Sequence, residues 1–368
     1  MNSGPQHQSP AKPLVSAIIP TYNRAHCVPQ AIESILTQRG VDEEFEVETI
    51  VVDDGSTDAT ERVVRRYSQV RYIRLPSRGG VAAALNHGVR ASTGSFLSFL
   101  GDDDVWLPHK LELQVPVLCA HPEVGVVYGQ AVVPEAGSQR LYPAADRAPS
   151  GWVFLEMLMH SFCGHHAAFL ARREALKRAG EFDESLSTFE DYDVSLRIAR
   201  HYQFLFVPAV VTVYNQSPNG QYLGHVATGS AARDLSLVIE KALRTLPDSP
   251  DYAALKDAAR ARAALEPTYA LDKIGEVARA REQLLEALRT YPWALDHDWG
   301  RRYVTSFAAH RVREGISPGA IVGELYGQLH PLRGPDHARL DWWLELLAAL
   351  RRQARSQGSR FVKGSQRN

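Results

Sequence analysis

Only three cysteines, Cys27, Cys119 and Cys163, occur in 368 residues, and no two of them form a CxxC pair. That spacing excludes a thiolate zinc site or a dithiol redox motif and makes a reducing, cytoplasmic setting the default. No run of about eighteen apolar residues is present, which argues against a membrane-spanning helix. Residues 1–13 are polar and contain proline without an apolar stretch, so they read as a disordered tail and not as a signal peptide. Charge of one sign is lacking too: a formal net charge of -1 gives no basic field for nucleic acid, so a polyanionic ligand must be met locally. The loop after the first predicted strand, PTYNRAH, has no glycine, and neither GxGxxG nor a P-loop occurs. Seating of phosphates on a glycine-rich helix N-terminus is thereby excluded.

What the chain does have is 45% hydrophobic residues, enough for one large domain and a smaller one. Leu14 to Pro20, Phe45 to Val52, Val70 to Leu75 and the run from Ser95 are short apolar strands. Helices ending near Leu36, Tyr67 and Ala91 separate them, and Asp58 with Glu61 reads as a capping pair for the second. This alternation predicts βαβ units and an α/β fold with a mostly parallel sheet whose ligands gather at the carboxyl ends of the strands. Those ends carry Thr21, Tyr22, Asn23 and Arg24, then Asp53 and Asp54, then Asp102, Asp103 and Asp104. Three adjacent carboxylates repel one another unless a cation sits among them, and hard oxygen ligands suit magnesium, manganese or calcium. Asp is equally favoured in turns and helix caps, so the triplet alone leaves both readings open.

A second acidic cluster, Glu190-Asp191-Tyr192-Asp193, follows the strand Ala167 to Ala171 and the helix Arg172 to Ala179. Thr188 and Asp191 have the spacing of a capping-box variant, and a carboxylate here also suits a general base. His165 and His166 precede that strand. Gln203 to Val207 and Val210 to Tyr214 read as two further strands, and Asn215 to Gly224 as a polar loop able to close over a ligand, with His225 at its end as a candidate metal ligand.

VSAIIPTYNR, ETIVVDDGSTDAT, RGGVAAALNHGVRASTG, FLGDDDVWLPHKLELQ and GEFDESLSTFEDYDVSLRIA resemble, in order, the motifs of family 2 glycosyltransferases, which have the GT-A fold. The resemblance covers roughly residues 14–215 and implies a nucleotide-sugar donor, a divalent metal (Mn2+ or Mg2+) and inverting transfer to an acceptor hydroxyl on a glycan or lipid-linked molecule. It implies that Pro20, Tyr22 and Asp54 line base and ribose, with Thr21, Asn23, Arg24, Asp53 and Asn86 around the donor and Arg78 near base or diphosphate. Where the family usually reads Asp-x-Asp-Asp this sequence has Gly101 first, which moves the work onto Asp102 beside the ribose and Asp103 on the metal, with Asp104 supporting. Asp191 matches the usual general base, and His165, His166 and Glu190 face the acceptor region. The function implied is glycosyl transfer in bacterial cell-surface polysaccharide or glycan synthesis. The rivals are a nucleotide-sugar pyrophosphatase and a catalytically silent nucleotide-sugar binder that recruits partners through its C-terminus.

These readings divide the chain into a tail (1–13), a GT-A catalytic domain (14–226), a helical region (227–350) and a basic tail (351–368). In the helical region EKALRTLP (240–247) and LEALRTYP (285–292) echo each other, short of a repeat array. Trp342, Trp343, Leu346, Leu347 and Leu350 form an apolar stripe suited to core packing. From Arg351 onward there are six basic residues and no acid, a composition compatible with peripheral contact with anionic lipid.

Overall fold

Seven of the eight residues of strand β1 (Leu14–Thr21) are buried, as expected of a strand held between two parallel neighbours. The computed structural model describes residues 12–135, 138–144, 148–160, 162, 166–215, 221–329 and 342–354, in two compact units, Met1–Pro218 and Asn219–Asn368.

In the first unit β1 is followed by α1 (Val28–Leu36), β2 (Glu46–Asp53), α2 (Thr60–Val64), β3 (Val70–Arg74), α3 (Val81–Ala91) and β4 (Phe96–Phe99). Then come β5 (Val105–Trp106), α4 (Lys110–Ala120), β6 (Val124–Glu135), β7 (Ser138–Tyr142), α5 (Phe154–Met159), β8 (Phe169–Arg172), α6 (Arg173–Ala179), α7 (Glu190–Ala199) and β9 (Gln203–Val213). The sheet runs β3-β2-β1-β4-β8-β6-β9-β5, with β7 off this path, paired with the end of β6. Its first four strands are wholly parallel; β8 runs antiparallel to β4 and β6, while β9 runs parallel to β6. Ile19, Val28, Ile32, Val51, Leu100, Trp106, Leu111 and Val115 form part of the core over this sheet.

Two local expectations need correction. Asp58 accepts from the Thr60 N–H at 2.9 Å, whereas Glu61 is drawn away to Arg65 and Arg74, both at 2.9 Å, so no reciprocal capping pair forms and α2 stops at Val64. The two strands read around residue 208 are one strand, β9. Phe206 pairs with Tyr128 and Val210 with Gln130, so Val207-Pro208-Ala209 bulges where Pro208 has no N–H to donate.

The second unit is helical: α8 (Gln221–Thr228), α9 (Ser230–Leu243), α10 (Pro250–Lys273), α11 (Val277–Thr290), α12 (Asp298–Arg313), α13 (Pro318–Leu329) and a last helix over 342–354. One stripe of each amphipathic helix is buried, Leu235, Val238 and Ile239 on α9 and Leu284, Leu285 and Leu288 on α11. Trp343, Leu346 and Leu350 are buried as well, while Leu344 between them is 55% exposed. Among the described residues no helix is long and apolar enough to cross a membrane.

Candidate functional site

Because β1, β2 and β4 are parallel neighbours, the loops at their carboxyl ends open on the same edge of the sheet, and hydrogen bonds stitch them together. The Asp54 N–H donates to the Thr21 carbonyl at 2.9 Å, and the Thr21 hydroxyl donates to Asp102 at 2.7 Å. Asn23 sits in the left-handed region at φ 53°, which its short polar side chain tolerates. Its N–H donates to Ser56 Oγ at 2.8 Å and its amide oxygen accepts from the Thr57 N–H at 2.8 Å. Asp53 is fully buried and accepts from the Ser56 N–H at 2.7 Å and the Tyr72 hydroxyl at 2.5 Å. Asp54 accepts from the Gly79 and Gly80 N–H groups at 2.6 and 2.8 Å, tying the loop before α3 to the end of β2. Gly80 needs its glycine, since it adopts φ 90°.

Asn23, Asp53 and Asp54 are thus loop clamps, and Pro20 is buried inside β1. Toward solvent the same edge presents Tyr22 with the Arg78 guanidinium 4.4 Å above its ring, and Arg24 with Asp103.

The triplet is electrostatically uneven. Burial, with the neighbouring Asp103 charge adding to it, pushes Asp102 up to about 7 even though Thr21 hydrogen-bonds its carboxylate. Asp104 is 2% exposed, accepts from the Asn215 N–H at 2.9 Å, and is raised well above the usual carboxylate range by burial and by Asp103. Asp103 is the more open of the three, its side chain 27% exposed and 3.6 Å from the Arg24 guanidinium. Gly101, the departure from Asp-x-Asp-Asp, has a steric reason: a Cβ there would stand 2.8 Å from Asp104 Oδ2. Among the described residues no group of three His, Cys, Asp or Glu side chains converges on one point. Such a donor set fits Mg2+ or Mn2+ held by one or two carboxylates, Asp103 foremost, and completed by substrate phosphates, and it does not fit an all-protein cage.

Asp191 is the second residue of α7, within the same unit. The helix follows Phe189, itself left-handed at φ 64°, so the N-cap is Phe189 and the Thr188–Asp191 capping box is out of register. Asp191 accepts from the Tyr192 N–H at 2.7 Å and from the His166 backbone N–H, yet burial raises it to about 6. Its Oδ2 lies 3.9 Å from Nδ1 of His166, whose own burial lowers it to about 4. Of this pair the carboxylate therefore takes a proton first as pH falls, which suits it to proton abstraction near neutrality. The His166 ring packs edge-on against Phe99, centroids 6.1 Å apart, and Phe99 ends the strand that leads into Asp102. Through His166, Asp191 thus reaches the end of the strand that precedes the aspartate triplet.

Other sequence-derived candidates are taken up by the fold or lie outside the described residues. Asn86, expected beside the donor, is 1% exposed and fully engaged: its amide oxygen accepts from the Phe182 N–H at 2.9 Å, and its nitrogen donates to the Phe182 carbonyl at 3.0 Å and to Glu184 at 2.8 Å. It holds Phe182 edge-on to Phe99 at 5.2 Å. Glu190 is buried as the first residue of α7. His165 and residues 216–220, half of the expected closing loop, lie outside the described residues; Gln221–Thr228 is helix, and His225, in the second unit, bonds Ser230 at 3.0 Å. Sequence reasoning missed Lys110. It is fully buried with Nζ donating to Ser98 Oγ at 2.9 Å, Gln114 Oε1 at 2.7 Å and the Phe169 carbonyl at 3.2 Å, while Gln114 holds the Ala168 carbonyl at 2.9 Å. The i, i+4 spacing of Lys110 and Gln114 directly after the triplet was the available signal.

The family model described as glycosyl transferase family 2 matches residues 16–179. An uncharacterized glycosyltransferase of Rickettsia typhi is 33% identical over 198 residues, covering 52% of this chain and 61% of that protein. One from Haemophilus influenzae is 31% identical over 194 residues, covering 52% and 64%. The chain thus spans less than two thirds of the length of either relative. Among solved structures, a mannosyltransferase from Pyrobaculum calidifontis in complex with GDP-Man and Mn2+ superposes with a TM-score of 0.54 at 22% identity, covering 94% of this chain and 88% of that one. S. aureus TarS in complex with UDP-GlcNAc gives 0.53 at 16% identity, covering 86% and 88%. At these identities the likeness is one of fold, and the fold is GT-A.

Proposed function

Residues 16–179 belong to glycosyl transferase family 2, and from that premise we propose that this chain is an inverting glycosyltransferase moving a sugar from a nucleotide diphosphate to an acceptor hydroxyl. Its setting in this reading is the assembly of a cell-surface polysaccharide or glycan, on a glycan or lipid-linked acceptor. The observation that carries the reading is Asp191: a buried carboxylate raised to about 6, linked through His166 and Phe99 to the strand that ends in the aspartate triplet.

In this mechanism Tyr22 and Arg78 flank the nucleotide, while the Asn23, Asp53 and Asp54 clamps keep the loops around it in place. Asp103, with Asp102 beside it, would hold the divalent metal, which when bound neutralises charge on the departing diphosphate. Asp191 removes the proton of the acceptor hydroxyl as its oxygen bonds the anomeric carbon. The bond from that carbon to the diphosphate oxygen breaks, and the electron pair leaves with the nucleotide diphosphate. Single displacement inverts the anomeric centre.

Thermal unfolding with UDP-, GDP- and dTDP-sugars, with and without Mn2+, tests the donor half, because a bound donor stabilises the folded chain by mass action. A metal-dependent rise with one of the three is expected; no rise with any of them refutes the donor site. Nucleotide release that needs an added acceptor distinguishes a transferase from a pyrophosphatase, and donor binding without turnover would favour the silent binder.

A further inference from the structure

Beside the aspartate triplet the chain provides a cation of its own. Arg24 Nη1 lies 3.6 Å from Asp103 Oδ2, with the two side chains 20% and 27% exposed. That separation is longer than a hydrogen bond, so the pair is held by charge and not by a bidentate fork. The Arg24 backbone is fixed independently of it. Its N–H donates to Thr60 Oγ1 at 3.2 Å, and its carbonyl accepts from the Cys27 and Val28 N–H groups at 3.1 and 3.0 Å where α1 begins. The guanidinium can therefore change partner while the loop stays where it is.

Resting on the donor-site reading above, we propose that Arg24 and the divalent cation compete for Asp103, and that the cation displaces Arg24 onto the nucleotide's diphosphate. Both cations need the same carboxylate oxygen, and a planar guanidinium suits phosphate oxygens at least as well as a carboxylate. Arg24 then lowers the affinity of the site for metal alone and raises it for metal together with nucleotide. The two ligands are coupled through one side chain.

The test uses the full chain and two probes, Mn2+ alone, followed by electron paramagnetic resonance of the free ion, and UDP or GDP in saturating Mn2+, followed by calorimetry. Arg24→Met should bind Mn2+ alone about two- to fivefold more tightly, the equivalent of a partly exposed ion pair removed. It should bind the diphosphate about tenfold or more weakly, having lost a charge-assisted contact. Arg24→Lys, which keeps the charge, should leave Mn2+ affinity within twofold of wild type and guards against misreading a folding defect. Mn2+ affinity in Arg24→Met that is unchanged or reduced overturns the proposal, as does diphosphate binding equal to wild type. If the wild type binds UDP or GDP normally and only the Arg24→Met pattern is missing, this inference alone fails. If the wild type binds neither, the donor-site reading fails with it.

Discussion

Replacing Asp191 by Asn should cripple turnover and stabilise the protein at neutral pH, two effects of opposite sign from one buried carboxylate. Burial raises Asp191 from 3.8 to about 6, so above pH 6 the folded state carries an ionised group that it would keep protonated if it could. The folded pKa exceeds the unfolded one; the stabilising contribution is therefore complete below about pH 4 and is lost as pH rises through 6. The shift corresponds to about 3 kcal/mol at pH 7.5. An amide at the same position escapes that penalty but keeps only part of the hydrogen bonding. Asn Oδ1 can still accept from the Tyr192 N–H, while its NH2 meets the His166 N–H, a donor facing a donor that costs about 1 kcal/mol or more. A net gain of about 1–2 kcal/mol remains, which for a chain of this size raises Tm by a few degrees. Differential scanning fluorimetry of both proteins at pH 4 and pH 7.5 reads the difference: the variant melts higher at pH 7.5, and at pH 4, where only the donor clash remains, it melts no higher than the wild type. Transfer to acceptor should fall about a hundred- to ten-thousandfold, the contribution of a positioned base, and the wild-type rate should climb through pH 6 to a plateau. Equal Tm values at pH 7.5 would refute the account of a buried, strained carboxylate. An unchanged transfer rate would refute its role as base.

Three further outcomes follow from neighbouring contacts. Asp103→Asn should abolish the Mn2+-dependent part of donor stabilisation in thermal shift, out of a total of about 2.7 kcal/mol when donor stands at a hundred times its Kd, and leave the metal-free Tm near wild type. Asn86→Ala leaves the buried Phe182 N–H and carbonyl without partners, at about 1–3 kcal/mol of stability for each group; turnover should drop while donor Kd stays within twofold, and a Kd rise without a turnover effect would instead put Asn86 at the donor. Gly101→Ala drives a methyl against Asp104 Oδ2, so calorimetry should show weakened Mn2+-nucleotide binding although the substitution adds only one carbon.

The contrast between what the sequence disclosed and what it hid follows from the range of the forces involved. β-branched runs alternating with amphipathic helices specify parallel strands locally, so the parallel arrangement of β1 to β4 and the edge on which their loops meet could be read from the chain. Even so, the helix and strand boundaries depended on tertiary partners. Arg74 pulls Glu61 out of its capping role, and Pro208 is absorbed by a bulge in a single strand instead of dividing two. Side-chain duty is less legible still, because a polar residue in a motif can serve the ligand or the loop that faces it. Asp54 and Asn86 occupy motif positions, yet their hydrogen-bonding capacity goes to the backbones of Gly79, Gly80 and Phe182, groups far away in sequence. Lys110 hid for the opposite reason: lysine in a helix opening reads as solvent-exposed, and only the meeting of Ser98, Gln114 and the Phe169 carbonyl makes a buried lysine tenable.

That network reaches Asp191 through backbone. Lys110 and Gln114 fix the carbonyls of Phe169 and Ala168, the residues that directly follow His166 and Ala167, and the His166 N–H is one of the donors to Asp191. Asn86 works from the other side, holding Phe182 against Phe99. Asp191 is therefore braced between two buried polar clusters built from distant parts of the chain. A carboxylate that must stay ionised in a dry pocket would otherwise relax toward water or toward a neutralising cation, and its pKa would return to the ordinary range. Holding it in place with neutral donors stabilises the charge enough to keep the fold while leaving the group basic near pH 6, where an ion pair would have lowered it out of use.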